Sequence, residues 1–569
     1  MRRALLLGLV LLSSVAALSL DREAFTFTKY DLDVQIEPEQ QRLAARGTIT
    51  LRNDSPSAQK NLSLQLSSGL TWRSIQANGK PLQFVSQPYV SDIDHTGELS
   101  EAIASLPAAI APGGSVELTI GYEGVIVLDA TRLTRIGTPK DVAIHTDWDQ
   151  ISSVSSAVRG VGNVVWYPVS AESANLSEEN SVFETLGRWK RRERNAEFKV
   201  QIRRSGGEER APLTLICNAT KGFASESVHA KAGGDCSRTP LGLESPSFVL
   251  AKYQMLDGPI VRIAYRPEHK QNAGKFTEAA AAVTPFVTEW FGAPRETIQI
   301  AELFDPGASP FEAGKLLLTP LGDIDPKLVQ IALVHELTHA AFASNRPWIS
   351  EGLAHFAQAA YREKQQSRRA ALDFLGLHGS ALLAAEKATA NPQVRPAPDE
   401  SLMSTVIDEL YRSKAAYVWW ILRDMIGEDA LKNALANYRP EQDNEASYLE
   451  GLIEAQSKRD LKWFFDDWVY HDRGLPDFRV ESAYPRQGSQ GNYLVTVTVE
   501  NLGAAGAEVP VIVRFDGGET SEHLEVRAKS KGVVRIATPG PPIEIVVNDG
   551  SVPESDVGNN TFKVGSPSQ

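Results

Sequence analysis

The chain has 569 residues, of which 42% are apolar and 23% are charged, and its formal net charge is −13 at pH 7. This length predicts roughly three to four folding units of about 150 residues each, and the composition is that of a soluble globular protein rather than a disordered or fibrous one. The negative charge repels phosphate backbones and anionic lipid, which argues against nucleic acid or a membrane surface as the main partner.

The first nineteen residues have the pattern of a cleavable signal peptide. A basic start precedes an apolar run from Ala4 to Leu12, and small residues then offer cleavage after Ala17 or Ser19. An uncleaved anchor is the alternative, but the run is short for the ~20 residues that span a bilayer. The sequence therefore predicts residues 1–19 as a signal peptide and a secreted or periplasmic protein with no transmembrane span after signal removal.

Residues 20–255 are predicted to form an all-β domain. Apolar and polar residues alternate between Gly and Pro turn signals in runs such as FTFTKYDLDVQIEP, GTITLRN and SVELTIGYEG, and this period is typical of half-buried strands. The stretch from Arg188 to Arg194 is locally basic, although the chain as a whole has a negative net charge. Because acidic residues are interleaved with it, we interpret it as a solvated strand or loop rather than a polyanion site.

The chain contains two cysteines, Cys217 and Cys236. In an oxidising compartment two thiols separated by a short loop commonly pair, so a disulfide is expected. A metal site is the weaker alternative, because two cysteines alone do not complete a tetrahedral coordination shell.

Residues 256–474 are predicted to form a domain that contains several helices. From about Asn272 apolar residues recur at helical spacing, first in KFTEAAAAVTPFVTEWFG and then in DPKLVQIALVHELTHAAFAS. Asp325 is placed to cap the second helix, with Pro326 at its first position. Pro347 breaks the chain before a following helix. Beyond Gly474 strand-like alternation returns, and 475–569 is predicted to be a β-sandwich.

The segment HELTH at 335–339 has the spacing of a zinc-binding helix. Residues four apart lie on one helical face, so His335 and His339 can direct ring nitrogens at one ion. Glu336 is rotated away from that ion and is predicted to be the general base that takes the proton of an attacking water. Glu351, near the start of the next helix, can supply a third ligand. Because catalytic zinc sites have three protein ligands, we predict one Zn²⁺ bound by His335, His339 and Glu351.

These motifs resemble those of the gluzincin zinc metallopeptidases, and specifically the aminopeptidase N and leukotriene-hydrolase family. That family carries HExxH and, on the next helix, an aromatic-x-x-Glu-Gly segment, here Trp348–Gly352. Residues 25–53 look like its N-terminal β-saddle, and WFFDDWVYHDRGLPDF looks like the end of its helical region. The resemblance implies a multidomain α+β fold: an N-terminal β-saddle domain, a thermolysin-like α/β catalytic domain with a helical extension, and a C-terminal β-sandwich.

The chain departs from the family pattern in two places. Eleven residues separate His339 from Glu351, a shorter spacer than the family's, which places the chain nearer the broader "peptidase MA-like" gluzincins. The family's Gly-x-Met-Glu-Asn strand, whose glutamate binds the substrate amine, is replaced by GASPFEAG at 307–314. Glu312 is the candidate residue for binding the substrate amine. The alternative is that Glu312 is only an exposed carboxylate at the end of a strand.

The family also places a tyrosine on a later helix, where it stabilises the oxyanion of the transition state. Tyr411 lies at nearly the matching position, and Tyr417 is the second candidate, because the alignment to the following Gly427 is off by one residue. Packing in the core is the alternative for either tyrosine. His355, one turn after Glu351, is interpreted as a second-sphere or surface histidine rather than a ligand.

The function predicted from these residues is that of an exported zinc-dependent peptidase that acts on peptides or proteins by water activation. Aminopeptidase-like action is the leading expectation from the family resemblance. A secreted zinc endopeptidase is the alternative within the enzymes, favoured by the altered segment around Glu312. A binding protein that keeps the gluzincin scaffold without turnover is the alternative from another class.

Overall fold

The computed structural model of the protein describes residues 20–178, 181–205, 213–219, 226–228, 233–322, 325–390, 401–488 and 491–564. The predicted signal peptide lies outside these residues. Within them helices and strands are mixed, and strands dominate the two ends of the chain while helices dominate the region between. None of the helices in these ranges has the length and apolar character needed to cross a bilayer.

The N-terminal region contains three sheets. Its strands are β1 (Phe25–Glu37), β2 (Arg42–Asn53), β3 (Gln59–Ser67), β4 (Leu70–Ala77), β5 (Lys80–Pro81), β6 (Phe84–Val90), β7 (Glu98–Ile110), β8 (Ser115–Val125), β9 (Ser155–Val158), β10 (Glu197–Arg204), β11 (Leu213–Cys217), β12 (Glu226–Val228), β13 (Gly234–Asp235) and β14 (Phe248–Ala251). The sheet orders are β13-β10-β1-β2-β8-β4-β5, β3-β7-β6 and β12-β11-β14-β9. The alternation predicted for β1 is confirmed, because Leu32, Val34 and Ile36 are buried on one face.

This region is not purely β. It also contains α1 (Thr131–Arg135), α2 (Lys140–Thr146) and α3 (Ser181–Glu193). The prediction of a strand or loop for the basic stretch is wrong, because Arg188, Lys190 and their neighbours up to Glu193 lie in α3. The side chain of Trp189, which is 1% exposed, anchors this helix. Val182, Leu186 and Trp189 recur at i, i+4 and i+7, so an amphipathic period leads into the basic residues of this helix.

Cys217 at the end of β11 and Cys236 next to β13 are joined by a disulfide with a Cα–Cα distance of 5.8 Å. β11 belongs to the four-stranded sheet and β13 to the seven-stranded one. The bond therefore links two sheets of the N-terminal region, and the structure gives the cysteines no metal-binding arrangement in its described part.

The central region combines a five-stranded sheet with helices. Its elements are β15 (Gln254–Asp257), β16 (Val261–Tyr265), α4 (Lys270–Phe291), β17 (Ile298–Glu302), β18 (Phe311–Ala313), β19 (Leu316–Thr319), α5 (Pro326–Ala341), α6 (Pro347–Gln365), α7 (Arg368–Leu375), α8 (Gly379–Ala390), the π-helical segment Glu409–Lys414, α9 (Ala415–Ile426), α10 (Glu428–Asn437), α11 (Tyr448–Ser457), α12 (Lys462–Phe465) and a second π-helical segment, Asp466–Tyr470. The sheet order is β15-β16-β17-β19-β18, in which β18 runs antiparallel to β19 at one edge. The predicted boundary between 255 and 256 falls within β15.

One hydrophobic core joins this sheet to its helices. α4 contributes Phe276, Val283 and Val287, all buried, and α5 and α6 pack in the same cluster. The two long helices predicted around the HELTH motif are thus fixed by apolar contacts on several sides. Their ends facing β18 carry the residues of the candidate site.

The C-terminal region consists of two sheets that share this core. Its strands are β20 (Phe478–Gln487), β21 (Tyr493–Asn501), β22 (Ala507–Phe515), β23 (Gly518–Val526), β24 (Lys531–Thr538), β25 (Pro542–Val547) and β26 (Thr561–Lys563), in the orders β20-β21-β24 and β23-β22-β25-β26. Val497 of β21 and Val511 of β22 are both fully buried in one cluster. Two sheets with a shared interior are the arrangement expected of a β-sandwich.

Candidate active site

α5 presents the HELTH motif from a buried position. The helix begins as predicted, because Pro326 occupies its first turn and the Asp325 carboxylate accepts the backbone N–H of Lys327 at 2.9 Å. Further along α5, Val329, Leu333 and Leu337 are buried in the core. His335 and Glu336 are 2% and 0% exposed.

α6 brings Glu351 to the two histidines through its close packing against α9. Trp348 is buried and stacks on Trp419, with 5.3 Å between the ring centroids. A Cβ on Gly352 would lie 2.6 Å from the Cβ of Ala415, so only glycine allows this approach. The tryptophan and glycine of the Trp348–Gly352 motif therefore seat the helix, and Glu351 lies between them.

Three donor groups converge at this place. His335 Nε2 and His339 Nε2 are 3.1 Å apart, and Glu351 carboxylate oxygens lie 3.8 Å from His335 and 3.4 Å from His339. Tetrahedral zinc with bonds of about 2.0–2.1 Å separates its ligands by about 3.3 Å. The residues present therefore fit one zinc ion with the donor set that the sequence predicts.

The protonation states of two of these groups favour metal binding. Burial, with His339 and Arg412 adding to it, lowers the pKa of His335 well below its ordinary value, so the ring is neutral at pH 7. Burial alone would raise the pKa of Glu351, but the charges of Arg412 and His339 hold it below its usual range. A neutral imidazole and an ionised carboxylate are the forms that bind a metal ion.

The orientation of His339 is fixed by its second ring nitrogen. His339 Nδ1 lies 3.2 Å from the Ser350 hydroxyl, which precedes Glu351 on α6. Partners of this kind hold a ligating histidine in one ring orientation. Nε2 of His339 is thereby directed toward His335 and Glu351.

Glu336 lies beside the donor set in an environment that favours its protonated form. Both of its carboxylate oxygens are buried, without a hydrogen-bond partner in the described part of the chain. Burial raises its pKa well above the ordinary value, and the carboxylates of Glu312 and Glu244 add to the shift. A carboxylate with a raised affinity for protons at a catalytic site is suited to act as a general base.

Glu312 lies at the same site. It is the middle residue of the edge strand β18, and its Oε2 is 3.4 Å from His335 Nε2. Burial, opposed by Arg412 and supported by Glu351, raises its pKa to about 7. The carboxylate is therefore next to the donor set and not a solvated strand end.

Of the two candidate tyrosines, only Tyr411 borders the site. Tyr411 lies in the π-helical segment and lines cavities of about 390 and 520 Å³ beside Arg412, and Tyr417 lines neither of them. A π-helical turn absorbs one additional residue. This additional residue accounts for the one-residue offset in the alignment between Tyr411 and Gly427.

His355 is closer to the site than the sequence predicts. His335, Glu351 and His355 offer donor atoms that lie within 4.8 Å of one another. The His335 ring is 4.8 Å, centroid to centroid, from both His339 and His355. The donors of His335, His339 and Glu351 lie 3.1 to 3.8 Å from one another and form the tighter set. His355 is a neighbour that burial keeps neutral by lowering its pKa.

Two further residues at the site, Arg412 and Glu244, lie outside the motifs that predict the donor set. Arg412 Nε lies 3.3 Å from Glu351 Oε2. Glu244 comes from the loop before β14 and lines all three cavities that surround the donor set, the smallest being about 310 Å³. Adjacency to Tyr411 is a signal for Arg412, whereas Glu244 belongs to no motif.

Comparisons with known proteins identify the fold. No family model matches the sequence, and no curated protein matches it either. An aminopeptidase A from Legionella pneumophila, solved in complex with aspartic acid, aligns with a TM-score of 0.54 at 12% identity over 93% of this chain and 59% of its own chain. A mutant M1 zinc metallopeptidase from Deinococcus radiodurans aligns with a TM-score of 0.42 at 17% identity over 80% of this chain and 96% of its own.

The first of these likenesses shows that the chain shares the fold of an aminopeptidase structure over nearly all of its length. The expectation of a mixed α and β multidomain architecture is thereby supported at the level of fold. The chain spans 59% of the length of that structure.

Proposed function

We propose that this protein is a zinc-dependent peptidase. The observation that carries the proposal is the convergence of His335, His339 and Glu351 within 3.1 to 3.8 Å, with the buried Glu336 beside them. Zinc, when bound, supplies a Lewis acid that polarises a carbonyl group and lowers the pKa of water. The fold shared with an aminopeptidase structure supports this assignment.

The residues of the chain divide the remaining work. The two histidines and Glu351 hold the ion, and Ser350 orients His339. Glu336 takes the proton of the attacking water and returns it to the leaving amine, since its raised pKa suits both transfers. Tyr411 and Arg412 line the cavity of about 390 Å³ that also contains Glu312, and a free donor there would stabilise negative charge on the carbonyl oxygen.

Aminopeptidase action is the mode we propose. Glu312 lies 3.4 Å from His335 Nε2, and Glu244 lines the adjoining cavities. Two carboxylates beside the metal site favour a substrate with a positively charged amine. Endopeptidase action is the alternative, because β18 is an edge strand and an extended peptide can pair along such an edge.

The experiment that tests the proposal is Glu336→Gln. This variant should retain zinc yet lose nearly all hydrolysis of a peptide library, because the ligands stay in place and the base is lost. Wild-type protein treated with a chelator should lose the same activity and recover it with added zinc. A Glu336→Gln protein as active as the wild type would contradict the role of the base.

We further propose that the protein is exported. The pattern of residues 1–19 and the disulfide between Cys217 and Cys236 support this, since disulfides persist in oxidising compartments. Fractionation of cells that express the full chain, with N-terminal sequencing of the mature protein, tests it. Recovery of an uncleaved cytosolic protein would contradict it.

A further inference from the structure

Arg412 lies beside the donor set, with its guanidinium 5.7 Å from the centre of the Tyr411 ring. Its side chain is 30% exposed, and in the described part of the chain its ion pair is with Glu351. Among the described residues its buried Nε has no hydrogen-bond partner, so the 3.3 Å contact with Glu351 is not a well-aligned hydrogen bond. A guanidinium carries five N–H donors. Most of that capacity is therefore free to meet a ligand in the adjoining cavities.

The hydroxyl of Tyr411, in contrast, is committed. Its one proton is donated to Asp408 Oδ1 at 2.6 Å. The same oxygen accepts a hydrogen bond from Lys190 of α3 at 2.6 Å, so Asp408 is held in place by a neighbouring element. An ionised carboxylate with two charge-assisted partners is a strong acceptor. Tyr411 cannot donate to a substrate oxygen while this arrangement persists.

The π-helical segment Glu409–Lys414 presents two adjacent residues to the site. Both Tyr411 and Arg412 line the cavity of about 390 Å³ that also contains Glu312. Lys414 at its end is fully buried and paired with Glu386 and Asp472, which fixes the turn. Arg412 is thus held by the backbone as well as by Glu351.

We propose that Arg412, rather than Tyr411, is the side chain that stabilises the oxyanion, an inference that rests on the proposed peptidase function. When water attacks, its oxygen bonds to the carbonyl carbon, the C=O π electrons move onto the carbonyl oxygen, and Glu336 takes the proton. Arg412 donates an N–H to that oxygen. A preorganised donor aimed at developing charge is worth about 10²–10³ in kcat.

A purely structural role for Arg412 makes a different prediction. If the guanidinium only positioned Glu351, its removal would weaken zinc binding, as loss of an outer partner of a ligand does by roughly 10- to 100-fold. If it donates to the oxyanion, kcat stays low even when every site holds zinc, and the tetrahedral anion of an inhibitor binds weakly. Measurements of kcat and of anion binding at saturating zinc therefore separate the two roles.

The test compares Arg412→Met, Arg412→Lys and Tyr411→Phe in the full chain, with Arg369→Met as a control at an exposed arginine that pairs with Asp373. Each protein is assayed for zinc affinity, kcat, KM, thermal unfolding and binding of a phosphinic pseudo-peptide, whose tetrahedral anion imitates the intermediate. At saturating zinc, Arg412→Met should lose about 100-fold or more in kcat and in affinity for the phosphinic peptide, with KM nearly unchanged. Arg412→Lys, which keeps the charge, should recover part of the loss, and Tyr411→Phe should lose less than about tenfold.

Three outcomes would overturn the inference. They are normal kcat in Arg412→Met, a 100-fold loss in Tyr411→Phe alone, and a loss of zinc affinity in Arg412→Met and Arg412→Lys that accounts for their lost activity. Wild-type protein that binds no zinc and cuts no peptide would instead contradict the proposed function itself. An Arg412→Met protein that fails to fold is replaced by Arg412→Lys, which should still lose affinity for the phosphinic peptide.

Discussion

His339 Nε2 and Glu351 Oε1 lie 3.4 Å apart, although eleven residues separate the two positions along the chain. The approach depends on the turn at Pro347 and on the close contact of Gly352 with α9. His355, one turn further along α6, forms a competing donor set with His335 and Glu351. With this short spacer the three donors still converge, and a third histidine, His355, lies beside them.

The two donor sets make opposite predictions for paired variants. His339→Ala should lower zinc affinity by more than about 100-fold, because loss of a ligand costs more than loss of its outer partner, whereas His355→Ala should lower it by less than about tenfold. Competition with a chromophoric chelator on the purified full chain measures both affinities. The reversed order would move the ion to the set that contains His355.

The Ser350 hydroxyl offers a finer test of how the site is built. Ser350→Ala removes the partner 3.2 Å from His339 Nδ1 and should weaken zinc binding by about tenfold. Ser367→Ala is the control, because this serine caps α7 away from the donor set. The control should leave zinc affinity unchanged, and equal affinities for both variants and the wild type would contradict the orienting role of Ser350.

Gly352 tests whether helix packing controls the position of Glu351. A Cβ at this residue would lie 2.6 Å from Ala415 and 3.0 Å from Trp419 Nε1, and such overpacking costs about 1–3 kcal/mol. Gly352→Ala should lower both the free energy of unfolding and zinc affinity. Gly451→Ala on α11, where a Cβ meets nothing within 4 Å, is the matched control. Unchanged zinc affinity in Gly352→Ala would show that α6 shifts without moving the ligand.

The sequence predicts those parts of the protein that depend on local spacing. His335 and His339 lie one turn apart, with Glu336 next to His335, on a helix whose start is specified by Asp325 and Pro326. The helical period alone therefore places these three residues. Strand alternation likewise predicts β1 and β21. These features need no knowledge of which distant segments meet.

Features that depend on distant contacts are not predictable in this way. Glu244 reaches the site from a loop that precedes α5 by about 80 residues, and no periodicity marks it. α3 is stabilised by the burial of Trp189 and by the ion pair of Lys190 with Asp408, both tertiary contacts. The committed hydroxyl of Tyr411 also depends on that pair. Tertiary contacts therefore decide which of two adjacent residues can face a substrate.

Glu312 should distinguish the two modes of cleavage. If its carboxylate binds the substrate amine, Glu312→Gln should raise KM for peptides with a free N-terminus by about 10- to 100-fold, the worth of a hydrogen bond to a charged group. KM for N-acetylated peptides should not change. Wild-type protein that cuts both kinds equally, with no selective effect of the substitution, would favour endopeptidase action.

Glu193 gives a prediction about stability that is independent of the metal site. It is fully buried on α3, and burial, opposed by Arg192, raises its pKa to about 8. Between about pH 4.5 and 8 the unfolded chain releases this proton while the folded chain keeps it, so folding stability falls as pH rises and levels off above pH 8. Glu193→Gln has no proton to release. As pH rises from about 4.5 to 8, the free energy of unfolding of Glu193→Gln should therefore increase relative to that of the wild type, by up to about 4 kcal/mol.

Urea unfolding of the wild type and Glu193→Gln at pH 5 and pH 8.5 measures this difference. Glu184→Gln, at a partly exposed carboxylate on the same helix, is the control and should show the same small effect at both pH values. Because a change of one pKa unit corresponds to about 1.4 kcal/mol, the stability difference should be small at pH 5 and several-fold larger at pH 8.5. An equal difference at the two pH values would mean that Glu193 titrates normally and that its burial is compensated by neighbouring charge.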